Sequence, residues 1–258
     1  MSCCPPGSYP YLNASYTAKG KIVATGAIEL YEAPVQGSPA SALIMCPDVW
    51  GWNGGRMRAV ADSFAAQGYL VVVPKLLATP ALDGGTDGDA LPPDGAFSLD
   101  WIKNFPWEKQ KPKMADVLAY VKSKGVAKVG MMGFCYGGHP TCWTSKDDAE
   151  GLVACGVVFH PSMQLEAPFG GDVEALLKGV QCPMLIAPAG NDVPMWAEDG
   201  AFGQALKASR RGAEVIFKEY PEMKHGWTVR GDLADAAVAR DVEDAMAEAT
   251  AFLAKYLK

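Results

Sequence analysis

Residues 128–138 read KVGMMGFCYGG: a short apolar run followed at once by Gly133-Phe134-Cys135-Tyr136-Gly137-Gly138. The hexapeptide has the G-x-nucleophile-x-G form, with Cys in the position usually held by Ser. A strand is predicted at 128–132 and a helix-compatible segment at 138–144, so the motif falls on a sharp strand-to-helix turn. Such a turn strains the backbone of its central residue, and side chains on the flanking glycines would collide with neighbouring backbone. The result is a thiol raised above the end of a strand at a helix N-terminus, where the helix dipole favours thiolate. The chain contains no G-x-S-x-G that would compete for the role.

The rest of the chain supports the setting that this turn requires. Strand-like runs occur at 41–46 (SALIMC), 69–73 (YLVVV), 152–159, 184–189 and 214–220. Helical patterns lie between and after them at 53–67, 112–124, 172–177, 197–211 and 232–256. In the first helix Met57, Val60, Ala61 and Phe64 recur at spacings of three and four, and Gly68 supplies the C-cap. In the second, Met114, Val117, Leu118 and Val121 share one face. Strands alternating with helices predict an α/β fold, a mainly parallel sheet with helices on both faces. Runs 21–25 and 27–31, around Gly26, predict an antiparallel hairpin at the sheet edge. With no internal repeat and no mid-chain linker, residues 1–258 are read as one domain carrying an N-terminal extension at 1–18. Residues 76–97, rich in Gly, Pro and Asp, are read as a possible lid loop or a solvated excursion.

Composition narrows the function. Of 258 residues, 49% are hydrophobic and 20% charged, which suits a packed core and not a disordered chain. The formal charge of −6 argues against nucleic acid and against anionic membrane surfaces as partners. No apolar run approaches the ~20 residues of a membrane span, and the first residues, MSCCPPGSYPYL, lack the pattern of a signal peptide. Seven cysteines at irregular spacing do not form a disulfide framework, so a reducing, cytoplasmic setting is expected.

Residues downstream of Cys135 complete a constellation. Gly190-Asn191-Asp192 follows the 184–189 run, and His225-Gly226-Trp227 follows the 214–220 run. The order nucleophile, acid, histidine, each at the C-terminal end of a strand, is that of a hydrolase triad in an open α/β sheet. His225 is expected to take the proton of Cys135 and return it to the leaving group, with Asp192 fixing the imidazole's orientation. The loop Cys46-Pro47-Asp48-Val49-Trp50-Gly51-Trp52 follows the 41–46 strand. Backbone N–H groups of Val49 and Tyr136 are the candidate oxyanion hole, and Asp48 is placed at the rim of the same crevice.

These segments resemble the dienelactone hydrolases, or carboxymethylenebutenolidases. The resemblance runs from about residue 20 to the C-terminus through Pro47-Asp48-Val49-Trp50-Gly51, Gly68-Tyr69 to Val73-Pro74, the Cys135 hexapeptide, Gly190-Asn191-Asp192 and His225-Gly226-Trp227. It implies an α/β-hydrolase fold and a Cys135–His225–Asp192 triad. It further implies that Asp48, where the family commonly has Glu, engages the thiol and helps to generate thiolate. The family binds its substrate's carboxylate with arginine, for which Arg230 is the candidate. The chain has no arginine between Arg58 and Arg210, where a second would be expected.

Among the other residues, His160 precedes Asp192 in the chain and is read as a satisfied structural histidine, and His139 as packed or half exposed. Cys142, Cys46, Cys155 and Cys182 are read as buried small hydrophobes, and the adjacent Cys3 and Cys4 lack zinc-ligand spacing. Trp50, Trp52, Tyr136 and Trp227 are candidate pocket walls. The expectation is a hydrolase of a lactone or activated ester acting through an acyl-thioester, with no metal or organic cofactor, as a monomer or homodimer. The alternatives are a broad carboxylesterase or thioesterase, a ligand-binding protein, or a redox-sensing thiol protein on the same scaffold.

Overall fold

The computed structural model describes residues 4–12, 15–77, 99–209 and 214–258. Most of the expected lid segment, residues 78–97, lies outside the described residues, as does Cys3. Strands β1 (Lys21–Thr25), β2 (Ile28–Glu32) and β3 (Ser41–Cys46) are followed by helix α1 (Met57–Ala65) and β4 (Leu70–Pro74). Helices α2 (Leu99–Ile102) and α3 (Trp107–Ser123) lead into β5 (Lys128–Phe134), α4 (Gly138–Asp147) and β6 (Val153–Phe159). Helix α5 (Val173–Lys178), β7 (Met184–Ala187), α6 (Ala201–Lys207) and β8 (Val215–Phe217) come next, and α7 (Trp227–Arg230) and α8 (Ala236–Leu257) close the fold.

The described strands form one sheet in the order β1-β2-β4-β3-β5-β6-β7-β8. β1 pairs with β2, and β2 with β4, antiparallel; every other pairing is parallel. This is the α/β-hydrolase arrangement with an antiparallel edge hairpin. The central strands are buried at nearly every position because helices cover both faces, which is why they read as unbroken apolar runs. On one face Met57, Ala61 and Phe64 of α1 share a core with Ala245, Ala249 and Leu253 of α8. On the other, Met114, Val117 and Val121 of α3 pack with Cys142 of α4 and Leu206 of α6.

Several boundaries differ from expectation, those of α3 and α6 most instructively. Helix α3 begins at Trp107 and carries Pro112 inside it, whereas a helix starting at Pro112 was the sequence expectation. A proline within the first two turns forfeits one backbone bond while its fixed φ still suits the helix, so the chain tolerates it. Helix α6 begins at Ala201, because Pro194–Trp196 forms a separate 3₁₀ turn and Gly200 is extended at φ −69°, ψ 163°.

Register decides what the sheet presents at its end. Cys46 of β3 lies opposite Gly133 of β5, and Phe134 opposite Phe159 of β6. Phe159 is opposite Ala187 of β7, and Ala189 bridges Tyr220. The loops carrying Asp48, Cys135, His160, Asp192 and His225 therefore leave one edge of the sheet side by side.

Candidate active site

Cys135 sits at the turn between β5 and α4 with φ +52°, a left-handed conformation that a non-glycine residue rarely adopts. The cause is crowding. A Cβ on Gly133 would stand 2.5 Å from the Gly137 carbonyl oxygen, and one on Gly137 would stand 2.0 Å from that of Cys46. Only glycine lets β3, β5 and the start of α4 close this tightly, and the closure pushes Cys135 into strain. Its side chain is buried in a third apolar cluster, distinct from the two cores, with Val49, Leu77, Trp101, Ile102, Phe105, Tyr136 and Leu165; Trp50 packs against the edge.

Asp192 and His225 meet on the neighbouring strand ends. Asp192 Oδ2 accepts the Ala189 N–H at 2.8 Å, which aims Oδ1 at His225 Nδ1, 2.5 Å away. Asn191 fastens the two loops together, its Oδ1 accepting the His225 backbone N–H at 2.6 Å. The other ring nitrogen, Nε2, is buried. One ring nitrogen of His225 and the sulfurs of Cys135 and Cys4 lie within 4.8 Å of one another. Burial alone would depress the imidazolium, but the Asp192 carboxylate and, after it, the Cys4 thiol outweigh burial and lift the pKa from 6.5 to about 9. The same three residues are the one group among the described residues that could share a metal ion, and two sulfurs with an imidazole suit a soft ion such as zinc.

The remaining sequence candidates divide. Val49 and Tyr136 are both fully buried beside Cys135, Tyr136 held by its hydroxyl donating to the Phe105 carbonyl at 2.9 Å. Trp50, half-buried, lies at the cluster's edge with Tyr11 against it. Asp48 and Arg230 face each other. Arg230, 3% exposed, pairs through Nη1 with Asp48 Oδ2, and its Nε donates to the Tyr9 carbonyl. Asp48 also accepts the Trp50 N–H at 2.9 Å. The two therefore satisfy each other, because neither charge survives burial unpaired. Trp227 is fully buried in the core under α8, its ring 4.5 Å from that of Tyr220. Trp52 likewise belongs to that core, under the guanidinium of Arg58.

His139 is fully buried and bonds Glu166 at 2.6 Å. His160 donates or accepts at Thr228 Oγ1, 2.7 Å away, and presents its ring edge-on to His225 at 4.9 Å. Burial first, and then the positive charge of His225, hold its pKa well below the ordinary value, so it stays neutral. Burial pushes the thiols of Cys46 and Cys182 up, to about 12 and about 11, and raises Cys142 and Cys155 as well. Those four are inert packing groups.

Sequence reasoning missed Asn191 as a clamp, Ser162, whose hydroxyl lies 3.5 Å from Cys135 Sγ, and Cys4, whose sulfur lies 3.8 Å from it. Asn191 stood next to Asp192 in the motif and could have been found there. Nothing local distinguishes Ser162 or Cys4.

Residues 28–257 match the family model described as dienelactone hydrolase family. The chain belongs to the dienelactone hydrolase family. It is 26% identical to the hydrolase tropI of Talaromyces stipitatus, over 100% of this chain and 97% of that protein. It is 28% identical to the human carboxymethylenebutenolidase homolog, over 48% of each chain. Among solved structures it superposes on a Klebsiella pneumoniae protein assigned as a dienelactone hydrolase with a TM-score of 0.66, at 18% identity over 89% of this chain and 93% of that one. The Pyrococcus furiosus esterase Pf2001 gives a TM-score of 0.62 at 13% identity over 97% of both chains. At these identities the structures bear on fold alone. The chain is thus a hydrolase of lactone- and ester-cleaving type. No helix among the described residues is long and apolar enough to cross a membrane.

Proposed function

We propose that the protein hydrolyses a lactone or activated ester through a Cys135–His225–Asp192 triad and an acyl-thioester intermediate. The observation that carries this is the left-handed Cys135 at the β5–α4 turn, its sulfur within 4.8 Å of a His225 nitrogen whose partner nitrogen is bound to Asp192. Cys135 Sγ attacks the carbonyl carbon. The backbone amides of Val49 and Tyr136 hold the oxyanion. Collapse expels the alkoxide or enolate, which takes its proton from the His225 imidazolium. A water deprotonated by His225 then cleaves the thioester.

The lining favours an uncharged, flat acyl group. Val49, Trp50, Trp101, Phe105 and Leu165 cluster with Cys135, and the guanidinium of Arg230 is already paired with Asp48. A substrate carboxylate would have to exchange with Asp48 to reach it. Such an exchange would release Asp48 for the thiol-activating role implied by the family resemblance.

Cys135→Ala is expected to lower turnover of p-nitrophenyl acetate and of a dienelactone by at least about 10³-fold. Cys135→Ser, if folded, should also lose most activity, because Ser lacks a ready anion. Undiminished turnover by Cys135→Ala removes Cys135 as nucleophile.

A further inference from the structure

Residues 4–12 cross the mouth of the site as a strap. The Asn191 amide donates to the Pro6 carbonyl at 3.0 Å, the Tyr9 N–H donates to the His225 carbonyl at 2.9 Å, and Arg230 Nε donates to the Tyr9 carbonyl at 3.0 Å. Asn191 adjoins Asp192, His225 is itself a site residue, and Arg230 follows it in α7. The strap ends with Cys4 against the apolar cluster of Cys135, the two sulfurs 3.8 Å apart although the residues are 131 positions distant in sequence. That separation is van der Waals contact between sulfurs; a bond needs about 2.05 Å. The closing shift falls on the partly exposed Cys4, in a segment outside every strand and helix, whereas Cys135 is locked in the turn.

We propose that Cys4 is a resolving cysteine and that Cys4–Cys135 is a reversible disulfide site, formed with a peroxide as oxidant and opened by thiol reductants. Cys135 thiolate attacks one peroxide oxygen; an S–O bond forms, the O–O bond breaks, and the departing hydroxide takes the proton of the His225 imidazolium and leaves as water. Cys135 is now a sulfenic acid. Cys4 passes its proton to the neutral His225 and attacks the Cys135 sulfur; the S–S bond forms, the S–O bond breaks, and hydroxide leaves with that proton as a second water. Two thiols have been oxidised by two electrons and one peroxide reduced to two waters. The imidazole that serves ester cleavage lies within 4.8 Å of both sulfurs and so is placed to relay both protons. The product cannot attack a carbonyl, and it is also guarded from the irreversible sulfinic and sulfonic acids.

The test treats the full chain with one to a few equivalents of hydrogen peroxide in EDTA, which prevents a bound metal from masking the thiols. Non-reducing peptide mapping by mass spectrometry should find a Cys4–Cys135 cross-linked pair, two hydrogens lighter than the sum, that dithiothreitol dissolves. Cys3→Ser should retain it. Cys4→Ser should replace it with sulfinic or sulfonic Cys135, and dithiothreitol should then restore less than a tenth of the thiol recovered in the parent protein. A cross-link from Cys3, or singly oxidised Cys135 with no cross-link in the parent protein, overturns the proposal. Because the readout is covalent mass, it stands apart from the hydrolase assignment: a protein that fails to cleave esters yet forms the cross-link sinks only the latter.

Discussion

A buried imidazole normally sheds its proton readily, because burial penalises the charged form; His225 keeps its proton because Asp192 stands 2.5 Å from Nδ1. Its folded-state pKa of about 9 lies above the ordinary 6.5. The stability it contributes is therefore fully present below about pH 6.5 and is lost as the pH rises through about 9. The same window governs activity. The imidazolium that protonates the leaving group persists through neutral pH and disappears near 9, so kcat/KM should fall on a basic limb there. Asp192→Asn removes the larger of the two influences that oppose burial, leaving only the Cys4 thiol. The basic limb should then move toward neutrality, and kcat should fall by about 10²–10⁴-fold. Paired pH–rate profiles of the parent protein and Asp192→Asn check both effects, and a limb that stays put in the variant assigns the titration to another group. At this scale the sequence was informative only where neighbours in the chain are neighbours in space. The elbow glycines announced Cys135. The pairing of Asp48 with Arg230 and the approach of Cys4 to Cys135, 182 and 131 positions apart, could not be read from any local pattern.

Among the elements, helix α1 is tied to the sheet edge through one carboxylate. Asp62 is 6% exposed; it accepts the Tyr31 hydroxyl of β2 at 2.6 Å, the Tyr16 hydroxyl at 2.8 Å and the Lys19 N–H at 3.0 Å. Arg58, one turn earlier, stacks on the rings of Tyr31 and Trp52. Burial, with Asp62 after it, raises the Tyr31 phenol, so the hydroxyl remains a donor at all working pH values. Asp62→Ala strands a buried hydroxyl and frees the chain before β1. It should lower unfolding free energy by about 2–3 kcal/mol in urea denaturation; a loss under half of that would show that water replaces the carboxylate. A buried Asp inside an otherwise amphipathic helix pattern carries no signal of its partners, so this tie was invisible in the sequence. The strands were plain, because β-branched runs such as 69–73 leave few other readings. The start of α3 was not, because Pro112 looks like a boundary and is in fact interior.

Taken whole, the molecule sets a stiff sheet against a strap held by a few hydrogen bonds. Cys135 is fully buried, so no carbonyl reaches it while every described segment stays in place. Strands β3, β5 and β6 are bonded on both sides and packed on both faces, and they can expose their amides only by unfolding the core. Residues 4–12 belong to no strand, and their backbone is fixed by single contacts such as Tyr9 N–H to the His225 carbonyl and Ser8 N–H to the Pro5 carbonyl. Local opening of such a segment costs far less than global unfolding. Native-state hydrogen exchange should find the Ser8 and Tyr9 amides exchanging at least about a hundredfold faster than those of β5, at a rate insensitive to low denaturant. Adding denaturant should accelerate β5 alone, since only its opening exposes large surface. If the strap amides instead exchange in step with β5, the strap is part of the core's cooperative unit, and entry to Cys135 must come by another route.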